Sequence, residues 1–318
     1  MPTFSFLPAI ALSLAAISAG ASEVHVFTSD KAGFNTNTVW YDDGREVTVI
    51  DTQFVPAIAE QVVADITAKT RSPITRVVVT HPNPDKFNAL SVFHHLGATS
   101  IASRATAEAI PGVDAYKRYF WTKIAKAFTD ETYPKVDSVR ETFSGRKTIT
   151  LASGETLTLI ELAQPGVSSA QTVVCIDSSG DLVVGDLVAY RTHAWLEGGI
   201  VGGKATPTIA GWKADLQQLT TLGTGKVYPG RGAPAPVAEA AREEIAYLDR
   251  VDALVGSYVT GLGARACEIA DGTKSHAHFI AIQAEVAKAF PDYAQPDLVG
   301  YGVYGLAQSK LPAAASVK

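Results

Sequence analysis

Seven consecutive residues, Thr80-His81-Pro82-Asn83-Pro84-Asp85-Lys86, put an imidazole, an amide, a carboxylate and an ammonium within six positions. Such groups can ligate a metal, move a proton or close an ion pair. Three more polar loops stand at apparent strand ends: residues 164–169, with Ser168; Gly185-Asp186-Leu187; and Pro229-Gly230-Arg231-Gly232. Each sets glycine beside the polar residues, as close backbone approach to a shared site requires. By itself His81 reads equally well as a packing or capping histidine, and Asp85 as the N-cap of a following helix. His94-His95 and the pair His276 and His278 read as packing and surface residues. Ser168-Ser169 lack the Gly-x-Ser-x-Gly surroundings of a nucleophile elbow and read as loop hydrogen-bonding groups.

The elements around these residues follow from apolar periodicity. Arg76-Val77-Val78-Val79 is a β-branched run of the kind buried in parallel sheets, and the two prolines after it cannot extend a ladder. The heptad is therefore a loop at a strand's C-terminal end, where open α/β sheets collect ligands. Upstream, residues 24–28, 35–41 and 46–51 read as an antiparallel meander, and 54–69 as a helix completing a βαβ unit. Downstream, the pattern predicts a helix at 87–96, a strand at 99–102, a helical turn at 106–110 and an aromatic-rich amphipathic helix at 114–128. Strands are expected at 147–151, 156–162, 172–176 and 181–184, the last two joined by Asp177-Ser178-Ser179-Gly180. Helices are predicted at 211–222, 237–262 and 275–290. Gly198 to Gly203 reads as a flexible loop gating a cleft, and the segment with Gly300, Gly302 and Gly305 as irregular.

Composition limits the function classes. The chain has 318 residues, 47% hydrophobic and 19% charged, with a formal net charge of −5, which suits ample core and argues against disorder. No Lys/Arg cluster stands out, so nucleic acid is not an expected partner. Residues 4–21 carry no charge and end in small residues, the pattern of a cleaved secretory signal, although the n-region has no Lys or Arg. A secreted protein with no membrane span after cleavage is expected. The two cysteines, Cys175 and Cys267, allow one disulfide, but Cys175 lies in a strand and reads as a packed thiol.

The order and spacing of the four strand-end loops resemble the metallo-β-lactamase superfamily over about residues 24–232. In that family they read His-x-His-x-Asp-His, Gly-His-Ser/Thr, Gly-Asp and Gly-His-Gly, and the segment His193-Ala194-Trp195-Leu196 resembles a subgroup carrying such a segment after the bridging aspartate. The resemblance implies an α/β fold, a four-layer αββα sandwich, with a C-terminal helical extension. The expected division is a signal at 1–21, the sandwich at 22–236 and the extension at 237–318.

Departures from the pattern concern the metal ligands. His81, Asp85 and Asp186 match family positions, whereas Asn83, Lys86, Val167 and Arg231 stand where the family has histidine. Zinc sites need at least three N, S or carboxylate donors, and valine and guanidinium supply none. A dinuclear zinc centre is not expected; the cofactor is either absent or one divalent ion (zinc, manganese or iron) on His81, Asp85 and Asp186. Lys86 and Arg231 instead read as internal counter-ions to the two carboxylates.

Three readings stay open: a decayed site, one retained metal, and a metal-free site. The residues expected in one pocket are His81, Asp85, Lys86, Asp186 and Arg231 in catalytic roles, with Asn83, His193, Trp195 and Ser168 meeting substrate. The resemblance implies a hydrolase-like protein acting on a small ester, lactone or amide. The alternative is a non-catalytic protein holding an anionic small molecule through Lys86 and Arg231.

Overall fold

Val77, Val78 and Val79 are all fully buried, yet they serve two different cores. Side chains alternate along a strand, so Val77 and Val79 pack among Val62, Ile66, Leu90 and Phe93, while Val78 meets Leu157, Leu159 and Val174. A strand buried on both faces needs a cover on each side, and here one is helical and the other is a second sheet.

The computed structural model describes residues 21–312. The proposed signal, apart from Ala21, and the last six residues of the proposed extension lie outside the described residues. The first sheet runs β1 (Glu23–Thr28), β2 (Asn37–Asp42), β3 (Val47–Ile50), β4 (Ile74–Val79), β5 (Thr99–Ser103) and β6 (Glu141–Phe143) in sequence order. β1 to β3 form the expected antiparallel meander, and β3 to β6 pair in parallel. α1 (Pro56–Lys69), α3 (Leu90–His95) and α4 (Arg104–Tyr119) contribute to its helical cover, and α2 (Pro84–Phe87) is a single turn inside the polar heptad.

The second sheet contains β7 (Arg146–Thr150), β8 (Thr156–Glu161), β9 (Thr172–Ile176) and β10 (Asp181–Ala189). After the small hairpin of β11 (Gly199–Val201) and β12 (Lys204–Thr206) it continues with β13 (Lys226–Arg231) and β14 (Ala235–Pro236). Its order is β14-β13-β10-β9-β8-β7, and β13 lies parallel to β10. The same alternation holds here: Val174 and Val183 face the first sheet, and Val173, Cys175, Leu182 and Val184 face helices. α5 (Ile209–Leu222), through Trp212, Leu216 and Leu219, and α6 (Val237–Gly261), through Leu248, Val251 and Val255, cover that outer face. The result is the four-layer αββα sandwich. α6 begins where the expected extension begins, but it shares one core with the sheet, and α7 (Ser275–Ala289) and α8 (Asp297–Ser309) add to that core.

Several local expectations need correction. The helix expected at 87–96 is broken into α2 and α3. The turn at 106–110 and the helix at 114–128 are one continuous element, α4 followed by a π-turn at Phe120–Ile124, in which Ala125 N–H donates to Phe120 O at 2.8 Å. Pro111 lies inside α4 without ending it. The glycine segment 198–203 is mostly hairpin, with positive φ at Gly202 and Gly203 forming its turn. The C-terminal glycines belong to a regular helix, α8. A Cβ on Gly302 would lie 2.8 Å from Leu196 N, and one on Gly305 would strike Glu197 O, so small residues let the helix lie against that backbone. His278 is buried, bonded to Tyr258 and Glu268, while His276 is exposed. Cys175 is a buried free thiol raised to about 11 by burial, and Cys267 is exposed and also free.

Candidate functional site

The site lies where the C-terminal ends of β3, β4, β10 and β13 meet. Each strand end delivers one polar group: Asp51 after β3, His81 after β4, Asp186 within β10 and Arg231 at the end of β13. Two glycines allow the approach. Gly185 has φ +52°, and a Cβ there would strike Thr80 Oγ1; a Cβ on Gly230 would strike Asp186 Oδ1.

Asp85, Lys86, Asp186 and Arg231 form a closed cluster. Lys86 Nζ lies 2.9 Å from Asp85 Oδ2 and 2.8 Å from Asp186 Oδ1. Arg231 Nη2 donates to Asp85 Oδ2 at 3.0 Å, and Nη1 donates to Asp186 Oδ2. Its remaining donors hold the loop before β2: Nε bonds Phe34 O at 3.2 Å and Nη2 bonds Thr36 Oγ1 at 3.0 Å. Thr36 Oγ1 in turn donates to Asp85 Oδ2 at 3.0 Å. Two carboxylates and two cations thus balance in a largely buried place.

Burial would raise the pKa of Asp85 and of Asp186, but the neighbouring cations outweigh it. Lys86 chiefly holds the Asp85 carboxyl below its usual range, and Arg231 with Lys86 hold Asp186 far below it. The carboxylates reciprocate and raise Lys86 and Arg231 despite burial.

His81 is fully buried behind this cluster and is lowered to about 4 by that burial, so its imidazole is neutral at pH 7. Nδ1 lies 2.9 Å from Thr80 Oγ1, which also donates to Asp51 Oδ2 at 2.8 Å. Nε2 has no hydrogen-bond partner and lies 3.8 Å from Asp186 Oδ2. Asp51, held by Thr80 N–H at 2.8 Å, is raised to about 7, mainly by burial.

A small pocket of ≈ 30 Å³ opens beside the cluster. The rings of Phe34, Phe54, Trp121 and Trp195 line it, with Asn83, Lys117 and the edges of Asp85, Asp186 and Arg231. Among the described residues the Asn83 side-chain amide makes no hydrogen bond, whereas Lys117 is paired with Glu197 and lies 4.9 Å over the Trp195 ring. Trp195 Nε1 also donates to Glu197 Oε2 at 2.9 Å. The ionised groups around the pocket sum to zero: Asp85, Asp186 and Glu197 against Lys86, Arg231 and Lys117.

The structure therefore brings His81, Asp85, Lys86, Asp186 and Arg231 together and sets Asn83 and Trp195 on the pocket wall. Ser168 is buried in its own loop, where its carbonyl accepts from Gly166 N–H at 3.0 Å, and it does not line the pocket. His193 corrects the expectation placed on it. Its Nδ1 meets Tyr247 OH at 3.2 Å, and its ring packs on Tyr247, Phe290 and Tyr293, joining β10 to the C-terminal helices instead of completing the site. Val167 is core.

Asp51, Thr36, Lys117 and Glu197 were not anticipated. Asp51 carried a signal, since it ends an apolar strand as His81 does. Lys117 and Glu197 lie 80 positions apart and carried none.

These residues do not fit a resident zinc or other divalent ion. The position between the two carboxylates is filled by the Lys86 ammonium, and three of their four oxygens already accept from a lysine or arginine. A metal on His81, Asp85 and Asp186 would have to displace those bonds beside two like charges. Among the described residues, no group of three or more His, Cys, Asp and Glu side chains could hold a metal ion.

The chain matches the metallo-beta-lactamase superfamily over residues 32–231. No curated protein matches it. Among solved structures it is similar to a metallo-beta-lactamase from Pontibacter korlensis, at 17% identity and a TM-score of 0.54, over 72% of this chain and 94% of that one. It is also similar to the enzyme TMB-1 (20% identity, TM-score 0.51, 72% of this chain and 93% of that one). DIM-1 metallo-beta-lactamase gives 18% and 0.51 over the same shares. At these identities the likeness is one of fold.

Proposed function

Because the chain belongs to the metallo-β-lactamase superfamily, whose fold supports a hydrolase-like function, we propose that it is a metal-independent member. Its cleft holds a small neutral carbonyl compound: an ester, lactone or amide. The observation that carries this reading is the Lys86 ammonium standing 2.9 and 2.8 Å from the two carboxylates. With those carboxylates committed, the pocket offers a ligand four aromatic rings and the free Asn83 amide, which can both donate to a carbonyl and accept from an N–H. An anion finds no free cation there, since Lys86, Arg231 and Lys117 each have a carboxylate partner. This favours a neutral ligand over an anionic one. The apolar run at residues 4–21 supports export of the protein.

Two measurements test the proposal. Protein purified without chelator and then incubated with zinc, manganese or iron is expected to carry no metal by elemental mass spectrometry. One equivalent that disappears on Asp186→Ala would overturn it. Coumarin, a neutral aromatic lactone, is expected to quench the tryptophan fluorescence, and coumarin-3-carboxylate is not. Quenching by the carboxylate alone would restore the anionic reading.

One observation favours a second reading, hydrolysis without metal: the neutral, unpartnered His81 Nε2 is a general base in waiting. It lies behind Asp186 and does not line the pocket, so it ranks second. Turnover of dihydrocoumarin that is lost in His81→Gln would establish it.

A further inference from the structure

Phe34 is the wall between two spaces. On its inner side is the aromatic pocket of ≈ 30 Å³, room for little more than a water or two. On its outer side is a groove of ≈ 230 Å³ between the loop before β2 and the start of α8, lined by Lys31, Asn35, Gln295, Asp297, Leu298 and Tyr301. Phe34 lines both spaces, so displacing its ring would join them.

The outer groove has its own chemistry. Among the described residues, Gln295 Oε1 is buried without a hydrogen-bond partner and the Asn35 side-chain amide makes no hydrogen bond. Tyr301, 48% exposed, offers a ring face. Among the described residues, the charges lining it are Lys31 and Asp297, which pair with each other at 3.4 Å and cancel. Two free amides beside an aromatic face suit hydroxyl groups, each of which donates and accepts, carried on a ring with an apolar face. Four of the seven lining residues lie beyond residue 231, on the C-terminal segment outside the region that matches the superfamily.

We propose that this groove is a second subsite, and that the natural ligand is a neutral carbonyl or aromatic head joined to a hydroxylated, sugar-like tail. The head occupies the aromatic pocket, and the tail lies past Phe34 against Asn35, Gln295 and Tyr301. The proposal rests on the neutral-ligand reading of the inner pocket and names the class of molecule that fits both spaces.

The test uses two neutral probes that share a head, 7-methoxy-4-methylcoumarin and 4-methylumbelliferyl β-D-glucopyranoside, titrated against the full chain by tryptophan quenching. The wild type is expected to bind the glucoside about tenfold more tightly. Tyr301→Ala and Gln295→Ala are expected to bring the ratio of the two affinities close to one. Both positions are at least partly exposed, and a thermal melt verifies folding. Equal affinities in the wild type, or a glucoside preference that survives both substitutions, would overturn the subsite while leaving the inner pocket standing. Failure of both probes to bind would overturn the pocket reading and this inference with it.

Discussion

Two buried polar clusters, one at the strand ends and one where β10 meets α6, solve the same problem in opposite ways. At the strand ends Asp85 and Asp186 stay ionised because Lys86 and Arg231 are buried with them. Near α6, Glu244 has no cation. Its Oε2 accepts from Ala189 N–H at 2.9 Å, its Oε1 is unpartnered, and burial raises it to about 8, so the group keeps its proton at neutral pH. Both regions also hold a histidine lowered to about 4 mainly by burial, His81 at the strand ends and His193 against Tyr247 of α6. Burial alone therefore does not set the charge of a carboxyl here. The presence of a counter-ion does.

The sharpest way to break this contrast is to remove one cation. Lys86→Met leaves two carboxylates facing each other beside a single arginine and is expected to cost about 3–5 kcal/mol in denaturant unfolding. Adding Asp85→Asn should recover most of that loss. A single substitution costing under about 1 kcal/mol would show that the cluster is not energetically coupled.

The pH dependence of stability separates the clusters next. Asp186 is depressed when folded, so its contribution is present above the ordinary carboxyl range and is lost as pH falls through and below that range. Glu244 is raised, so its contribution is present below about 4.5 and is lost as pH rises toward 8. Glu244→Gln is accordingly expected to leave the melting temperature near wild type at pH 5 and to raise stability by about 1–3 kcal/mol at pH 9. Equal effects at both pH values would mean that Glu244 is ionised throughout. The smallest effect is expected at His193, whose neutral ring packs among Tyr247, Phe290 and Tyr293. His193→Phe should change stability by less than about 1.5 kcal/mol and leave coumarin quenching intact.

The layer order was legible through the resemblance that the four strand-end loops carry, whereas apolar runs such as Val77 to Val79 by themselves indicated only buried strands and amphipathic helices. The strand-end loops were legible because polar residues after β-branched runs must emerge at one edge of a sheet. His193 was misread because Trp195, two residues on, lines the pocket while the His193 ring turns toward residues 54 to 100 positions away. The continuity of α4 through Pro111 and the helical state of the glycine-rich α8 were also hidden. Both depend on what the helix packs against.

The sequence by itself determined the four loops and that Asn83, Lys86, Val167 and Arg231 offer no imidazole, because residue type and spacing fix which groups a loop can offer. Only the tertiary structure decided that Lys86 stands between Asp85 and Asp186, that Arg231 also holds the Phe34 loop, and that Lys117 and Glu197 close the pocket. Those contacts join residues up to 197 positions apart. Local propensity carries no record of them, and the Coulomb attraction becomes strong enough to offset desolvation only once the strands have brought the charges close together in a buried place.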